Sequence, residues 1–201
     1  MIKNYVIKIT VAALTAVVAA TCFSGCSQNS NSTSTVSDQT ETIVANGSQM
    51  SSLGEFSTTD INDEKVTQDI FKDNKLTLVN VLSVTCDPCM EELPYLAELA
   101  KEYRDKNIGF LGVSIDMDSE GNPDKSTKED FKKLIGDSAE NINIAYLDTE
   151  LMTKIFAETN AIPYTFFVDE NGNIVGERYT GFHSKEEWKS IIDKVIKNAD
   201  L

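Results

Sequence analysis

The chain has 201 residues, 41% of them apolar, with 32 acidic and 18 basic side chains and a formal net charge of −14. That length suits one domain of ordinary size plus appendages, and no apolar run reaches the length that a polytopic membrane protein would need. The acidity excludes nucleic-acid binding, because no basic patch could offset such a field.

Residues 1–25 read as an export signal. Lys3 and Lys8 form a positive start, and Ile9 to Phe23 is an apolar run of about 15 residues, long for a signal core and short for a membrane span. The run ends in Phe23-Ser24-Gly25-Cys26. This resembles the lipobox of bacterial lipoproteins, with Phe23 where that pattern usually has leucine or another aliphatic residue. The resemblance implies cleavage before Cys26 and a lipid on that cysteine. The protein would then be extracytoplasmic and lipid-anchored to the bacterial membrane. Cleavage removes two lysines from the 18 basic residues and none of the 32 acidic ones, leaving a net charge of −16. Residues 26–53 are rich in Ser, Thr, Asn and Gln. They are expected to form a flexible tether of about 25–30 Å reach, with the folded domain over 54–201.

From Lys75 the pattern becomes periodic. Leu76 to Val84 is a β-branched run suited to a strand buried on both faces. Asp87 to Lys106 reads as a helix, with Leu93, Leu96, Leu99 and Tyr103 along one face and a kink expected at Pro94. Ile108 to Ile115 is a second buried strand, and Asp116 to Thr127 a polar loop that only partly matches a calcium loop. A helix over Lys128 to Ile135, a short strand over Ile144 to Leu147 and a helix over Glu150 to Glu158 follow. Tyr164 to Val168 and Asn173 to Glu177 form two strands joined through Asn171-Gly172, the clearest hairpin signal in the chain. Ser184 caps a last amphipathic helix reaching Asn198. The order predicts an α/β fold, parallel on one side of a mixed sheet and antiparallel on the other, with helices on both faces.

Four cysteines are present. On the lipobox resemblance Cys22 would lie in the removed segment and Cys26 would carry the lipid, which would leave Cys86 and Cys89 as thiols in a compartment that permits disulfides. Cys86 directly follows the first long strand, and Cys89 sits in the first turn of a helix, whose N-terminus favours a thiolate. Cys86 is therefore read as the exposed nucleophile and Cys89 as the resolving thiol. Asp87 places a negative charge beside the nucleophile and opposes its thiolate, which favours a reducing couple. Side chains on a helix lean toward its N-terminus, so Glu92 is expected to reach back over Cys89. Partial burial there should raise its pKa.

The segment Val79-Asn80-Val81-Leu82-Ser83-Val84-Thr85-Cys86-Asp87-Pro88-Cys89-Met90-Glu91-Glu92-Leu93-Pro94 resembles the active-site region of TlpA/ResA-type extracytoplasmic proteins. Ile162-Pro163-Tyr164-Thr165-Phe166-Phe167-Val168-Asp169 is similar to their proline loop and following strand. The resemblance implies a thioredoxin-like fold with an N-terminal extension and a central insertion. It implies thiol–disulfide exchange through Cys86 and Cys89, tuned by Asp87 and Pro88, with Glu92 as proton acceptor or donor. It also implies a cis Pro163 opposite the cysteine pair and an Ile162 backbone that pairs with a bound substrate strand. The family's usual tryptophan before the first cysteine is Thr85 here, and Val81 and Leu82 replace an aromatic pair.

Oxidised client proteins and a membrane thiol donor are the expected partners, and no metal or organic cofactor is implied. Two alternatives come from other classes. One is copper delivery through Cys86, Cys89 and His183, against which the cysteine spacing argues. The other is a thiol peroxidase, which lacks here the threonine and proline expected ahead of its reactive cysteine.

Overall fold

The computed structural model describes residues 49–138 and 140–199. The expected signal segment, Cys26 and most of the expected tether lie outside the described residues. Two short strands, β1 (Ser57–Thr59) and β2 (Lys65–Thr67), pair as an antiparallel ribbon. There follow β3 (Leu76–Leu82), α1 (Asp87–Tyr103), β4 (Ile108–Ser114), α2 (Lys128–Ile135), β5 (Asn143–Tyr146), α3 (Thr149–Glu158), β6 (Tyr164–Asp169), β7 (Ile174–Thr180) and α4 (Lys185–Asn198).

The five longer strands form one mixed sheet in the order β5-β4-β3-β6-β7. β3, β4 and β5 run parallel, whereas β6 is antiparallel to β3 and β7 to β6. All seven residues of β3 are buried, because it is the central strand and both faces are covered. Alternation sends Leu76, Leu78 and Leu82 to one face, against Leu93 and Leu96 of α1 and Trp188 and Ile192 of α4. Val79 and Val81 point to the other, against Leu151 and Ile155 of α3. Between β4 and α3 the chain inserts α2 and β5, which widens the parallel side by one strand.

β3 ends two residues earlier than its β-branched run suggests. Its partner β4 stops at Ser114, opposite Leu82, and the next free amide, Val84 N–H, donates instead to the Asp116 carboxylate at 3.1 Å. β7 runs three residues beyond the expected Glu177 and pairs with β6 as far as Thr180. A register shift between Thr165 and Phe167 and a Gly176 at φ 73° interrupt its alternation, which hides its length in the sequence. The hairpin turns at Gly172, with φ 77°. Asp169 organises that turn by accepting the N–H groups of Asn171 and Asn173, each at 2.8 Å.

The N-terminal extension is packed, not appended. Leu53 and Phe56 are buried with the α3-side core. Leu53 N–H donates to Gly172 O and Ile174 N–H to Ser51 O, at 3.0 and 2.9 Å. Further on, Ile61 N–H donates to Ile144 O, so the ribbon covers the open edge of β5. Packing thus includes Leu53, one residue ahead of the expected start at residue 54, and the backbone pairing includes Ser51.

Candidate active site

The parallel strands all end at the edge of the sheet from which α1 departs. Cys86 is the N-cap of α1, and its sulfur accepts the Cys89 N–H at 3.3 Å. Asp87 and Pro88 fill the next two positions and are exposed; Cys89 is buried at 1% exposure. The two cysteines are joined by a disulfide with Cα atoms 5.2 Å apart. Cys86 is half-buried, so one sulfur faces outward and the other inward. The helix amide on Cys86 Sγ, together with the helix dipole, favours negative charge on that sulfur once the bond is reduced.

Glu92 lies one turn beyond Cys89 on the same buried face of α1, a spacing that puts the two Cβ atoms about 5–6 Å apart. Its exposure is 1%. Oε2 accepts the His183 main-chain N–H at 2.7 Å, and Oε1 accepts Asn80 Nδ2 at 3.1 Å. Asn80 and Thr165 face each other across β3 and β6, and Asn80 Nδ2 also donates to Thr165 Oγ1 at 2.8 Å. Burial pushes the Glu92 carboxyl above the ordinary glutamate range. The His183 N–H, the indole of Trp188, the His183 imidazole and Asn80 pull it part of the way back. The indole N–H faces the carboxyl without closing to a full hydrogen bond. Such a carboxyl keeps its proton to higher pH than an exposed one.

The loop that delivers Cys86 is held from outside by Asp116. Asp116 Oδ1 accepts the Ser83 hydroxyl at 2.6 Å, and Oδ2 accepts Val84 N–H at 3.1 Å and the Ser114 hydroxyl at 2.8 Å. The Ser83 proton is committed to Asp116, so the Thr85 hydroxyl, 2.9 Å away, donates to Ser83. Thr85 N–H adds a second bond to the same oxygen at 3.1 Å. Where tryptophan would supply a flat apolar wall, this chain has a hydroxyl network.

On the other side stands the proline loop. The Ile162–Pro163 peptide bond is cis, and Pro163 O accepts Gly181 N–H at 2.8 Å. Strand register sets Tyr164 opposite Val81, which brings Ile162 and Pro163 to the end of β3 where the cysteine loop begins. Ile162 is half-buried and packs against both cores. Cys86, Cys89, Glu92, Ile162 and Pro163 thus meet at one end of the sheet, with Asp87 and Pro88 on the outer surface. Cys26 lies outside the described residues. Among the described residues no group of three or more His, Cys, Asp and Glu side chains is arranged to hold a metal ion, the trio Cys86, Cys89 and His183 included.

Sequence reasoning missed three contributors. Asp116 opens the polar loop that runs to Thr127, His183 lies between the last strand and the last helix, and Asn80 sits within a buried run. An asparagine facing the covered side of a central strand was the one signal available, since such a group needs a partner.

A mixed sheet with a cysteine pair at the N-terminus of the helix after its central strand, and a cis proline opening the neighbouring antiparallel strand, defines a thioredoxin-like fold built around a redox-capable pair. The chain belongs to the Redoxin family, whose sequence model matches residues 45–196. It is similar to the thiol–disulfide oxidoreductase ResA of Bacillus cereus, 24% identical over 142 residues that cover 70% of this chain and 74% of ResA. Among solved structures it resembles a putative thiol–disulfide oxidoreductase from Bacteroides vulgatus, with 27% identity and a TM-score of 0.54 over 75% of this chain and 90% of the other. The exposed lipoprotein thioredoxin Etrx1 from Streptococcus pneumoniae shares the fold at 18% identity and a TM-score of 0.57, over 70% and 99% of the two chains.

Proposed function

We propose that this protein is a lipid-anchored reductase that uses Cys86 and Cys89 to reduce disulfides in extracytoplasmic client proteins. The observation that carries the reading is the cysteine pair at the N-terminus of α1 with a buried carboxyl, Glu92, one turn behind it. Thiol–disulfide oxidoreductase chemistry on a thioredoxin-like fold also agrees with the family and with the similarity to ResA.

In the reduced protein, the Cys86 thiolate attacks one sulfur of the client disulfide. A Cys86–client bond forms, the client S–S bond breaks, and the first client thiolate leaves and takes up a proton. Cys89 then gives its proton to the Glu92 carboxylate and attacks Cys86 Sγ. The mixed disulfide breaks, the second client sulfur leaves as a thiolate that takes up the proton Glu92 accepted, and two electrons have passed from the pair to the client. An outside dithiol restores the pair; a membrane thiol donor fits that role, because the tether would hold the domain beside the membrane. The client main chain would be gripped by the Ile162 backbone next to Pro163. Asp87 opposes the Cys86 thiolate and biases the couple toward reduction of clients.

The anchor rests on the lipobox-like segment ending in Cys26, and the similarity to an exposed lipoprotein supports it. Among the described residues no helix is long and apolar enough to cross a membrane.

The decisive experiment is the reduction potential of the Cys86/Cys89 couple, measured on the full chain in detergent against dithiol buffers. A value near or below about −250 mV is expected for a reductant. A value in the range of about −120 to −180 mV, that of oxidants and isomerases, overturns the direction proposed. Absence of a reversible two-electron couple overturns the activity itself.

A further inference from the structure

His183 is the only histidine in the chain, and its ring is fixed on three sides. Nδ1 lies 2.9 Å from the Gly181 carbonyl oxygen. A carbonyl only accepts, so Nδ1 carries the proton and Nε2 is bare in the neutral ring. The ring centroid is 4.8 Å from that of Trp188 and 6.0 Å from that of Tyr179. Trp188 is fully buried on α4, and Tyr179 belongs to β7, so the imidazole is wedged between two elements of the fold. Gly181, at φ 90°, allows the chain to turn back so that the ring meets its carbonyl. The consequence falls on the main chain: His183 N–H makes the shorter of the two hydrogen bonds to the Glu92 carboxyl, 2.7 Å against 3.1 Å.

We propose that His183 is a positioning residue for Glu92, its imidazole acting as the lock that holds its own main-chain N–H on the buried carboxyl. This rests on the reading of Glu92 as the proton acceptor for Cys89. The titratable groups that bear on one another here are Glu92 of α1, Glu187 of α4, Tyr179 of β7, His183 itself and, once reduced, Cys86 and Cys89. Asn80 of β3, Thr165 of β6 and Trp188 of α4 complete the wall and do not titrate. A donor held on a carboxyl favours its charged form. Freeing the loop therefore makes Glu92 keep its proton to higher pH, which delays deprotonation of the resolving thiol. Protonation of the ring works in the opposite sense, because it places a positive charge facing Glu92.

The test compares the pH dependence of single-turnover reduction of oxidised glutathione by the full chain, in wild type, His183→Ala, His183→Asn, Glu92→Gln and the His183→Ala/Glu92→Gln double variant. His183→Ala is expected to move the Glu92-dependent inflection upward by about one pH unit, a tenfold change in proton affinity. His183→Asn, whose amide can still donate to Gly181 O, is expected to lie between Ala and wild type. In the Glu92→Gln background His183→Ala should produce no shift. A His183→Ala profile that superimposes on wild type, or an equal shift in the Glu92→Gln background, overturns the proposal while leaving the Glu92 reading intact. A Glu92→Gln profile identical to wild type overturns both. A second measurement does not depend on the folding of any His183 variant: NMR of the lone imidazole reads its tautomer in the wild-type protein. The lock requires the neutral ring to carry its proton on Nδ1, facing Gly181 O, and a ring protonated on Nε2 overturns the proposal.

Discussion

Two carboxylates support the cysteine pair from opposite sides, and they do so by different physics. Asp116, at the end of β4, is half-exposed and accepts three hydrogen bonds, two of them from the loop that presents Cys86. Glu92, beneath α1, is almost completely buried and accepts two. The first has its oxygens filled by donors and acts as a clasp. The second bears the desolvation cost of burial with fewer donors and is driven toward its neutral form. The supply of donors and the access of water, rather than the chemistry of the carboxyl, separate the two acids.

The largest effect should come from removing what both acids serve. Cys86→Ser is expected to abolish disulfide exchange in a single-turnover assay, while leaving the fold near wild-type stability by thermal melting. Residual exchange at the wild-type rate would mean that the nucleophile lies elsewhere. Next in size is Asp116→Ala, which strands the Ser83 hydroxyl and the Val84 N–H. It should cost about 2–3 kcal/mol and lower the melting temperature by several degrees. A change within about 0.5 kcal/mol, the range of ordinary surface substitutions, would show that the clasp is dispensable.

Glu92→Gln should have a smaller effect on stability and should change its pH dependence. Because burial raises the folded-state pKa, the folded protein binds more protons than the unfolded one between the ordinary glutamate value of 4.5 and the raised value. Wild-type stability should therefore fall as pH rises through that window, with the full loss present above it and none below it. Glu92→Gln should lack this slope in denaturant unfolding measured as a function of pH. Equal slopes in the two proteins would show that Glu92 does not hold its proton in the folded state. The smallest effect is expected from Glu91→Gln, one residue away but exposed: neither the pH profile of exchange nor stability should move. A Glu91 effect as large as that of Glu92 would dissolve the contrast drawn between buried and exposed acids.

Much of the fold was legible because its signals are local. The strand–cysteine–helix junction, the Asn171-Gly172 turn and the Ser184 cap each depend on a few neighbouring residues. Ser184 closes a full capping box with Glu187. The ribbon of β1 and β2 was not legible: each strand has three residues, too few for a period to show. The docking of Leu53 and Phe56 on the α3-side core is hidden in the sequence for a related reason. Two apolar residues in a polar stretch reveal burial only once the hairpin and α3 supply the surface to cover.

The sequence by itself determined the α/β class, the parallel-then-antiparallel order of the strands and the placement of Cys86 and Cys89 at a helix N-terminus. These follow from hydrophobic period, turn chemistry and spacing, which act over short stretches of chain. Only the tertiary structure decided which acids matter and how. Glu92 meets a main-chain N–H 91 residues away, Asp116 meets a hydroxyl 33 residues back, and Asn80 meets Thr165 across a strand pair 85 residues apart. Strand order and register create such meetings, and no local pattern records them. The electrostatics that follow, a neutral-leaning Glu92 and a clasping Asp116, exist only once the sheet has closed around them.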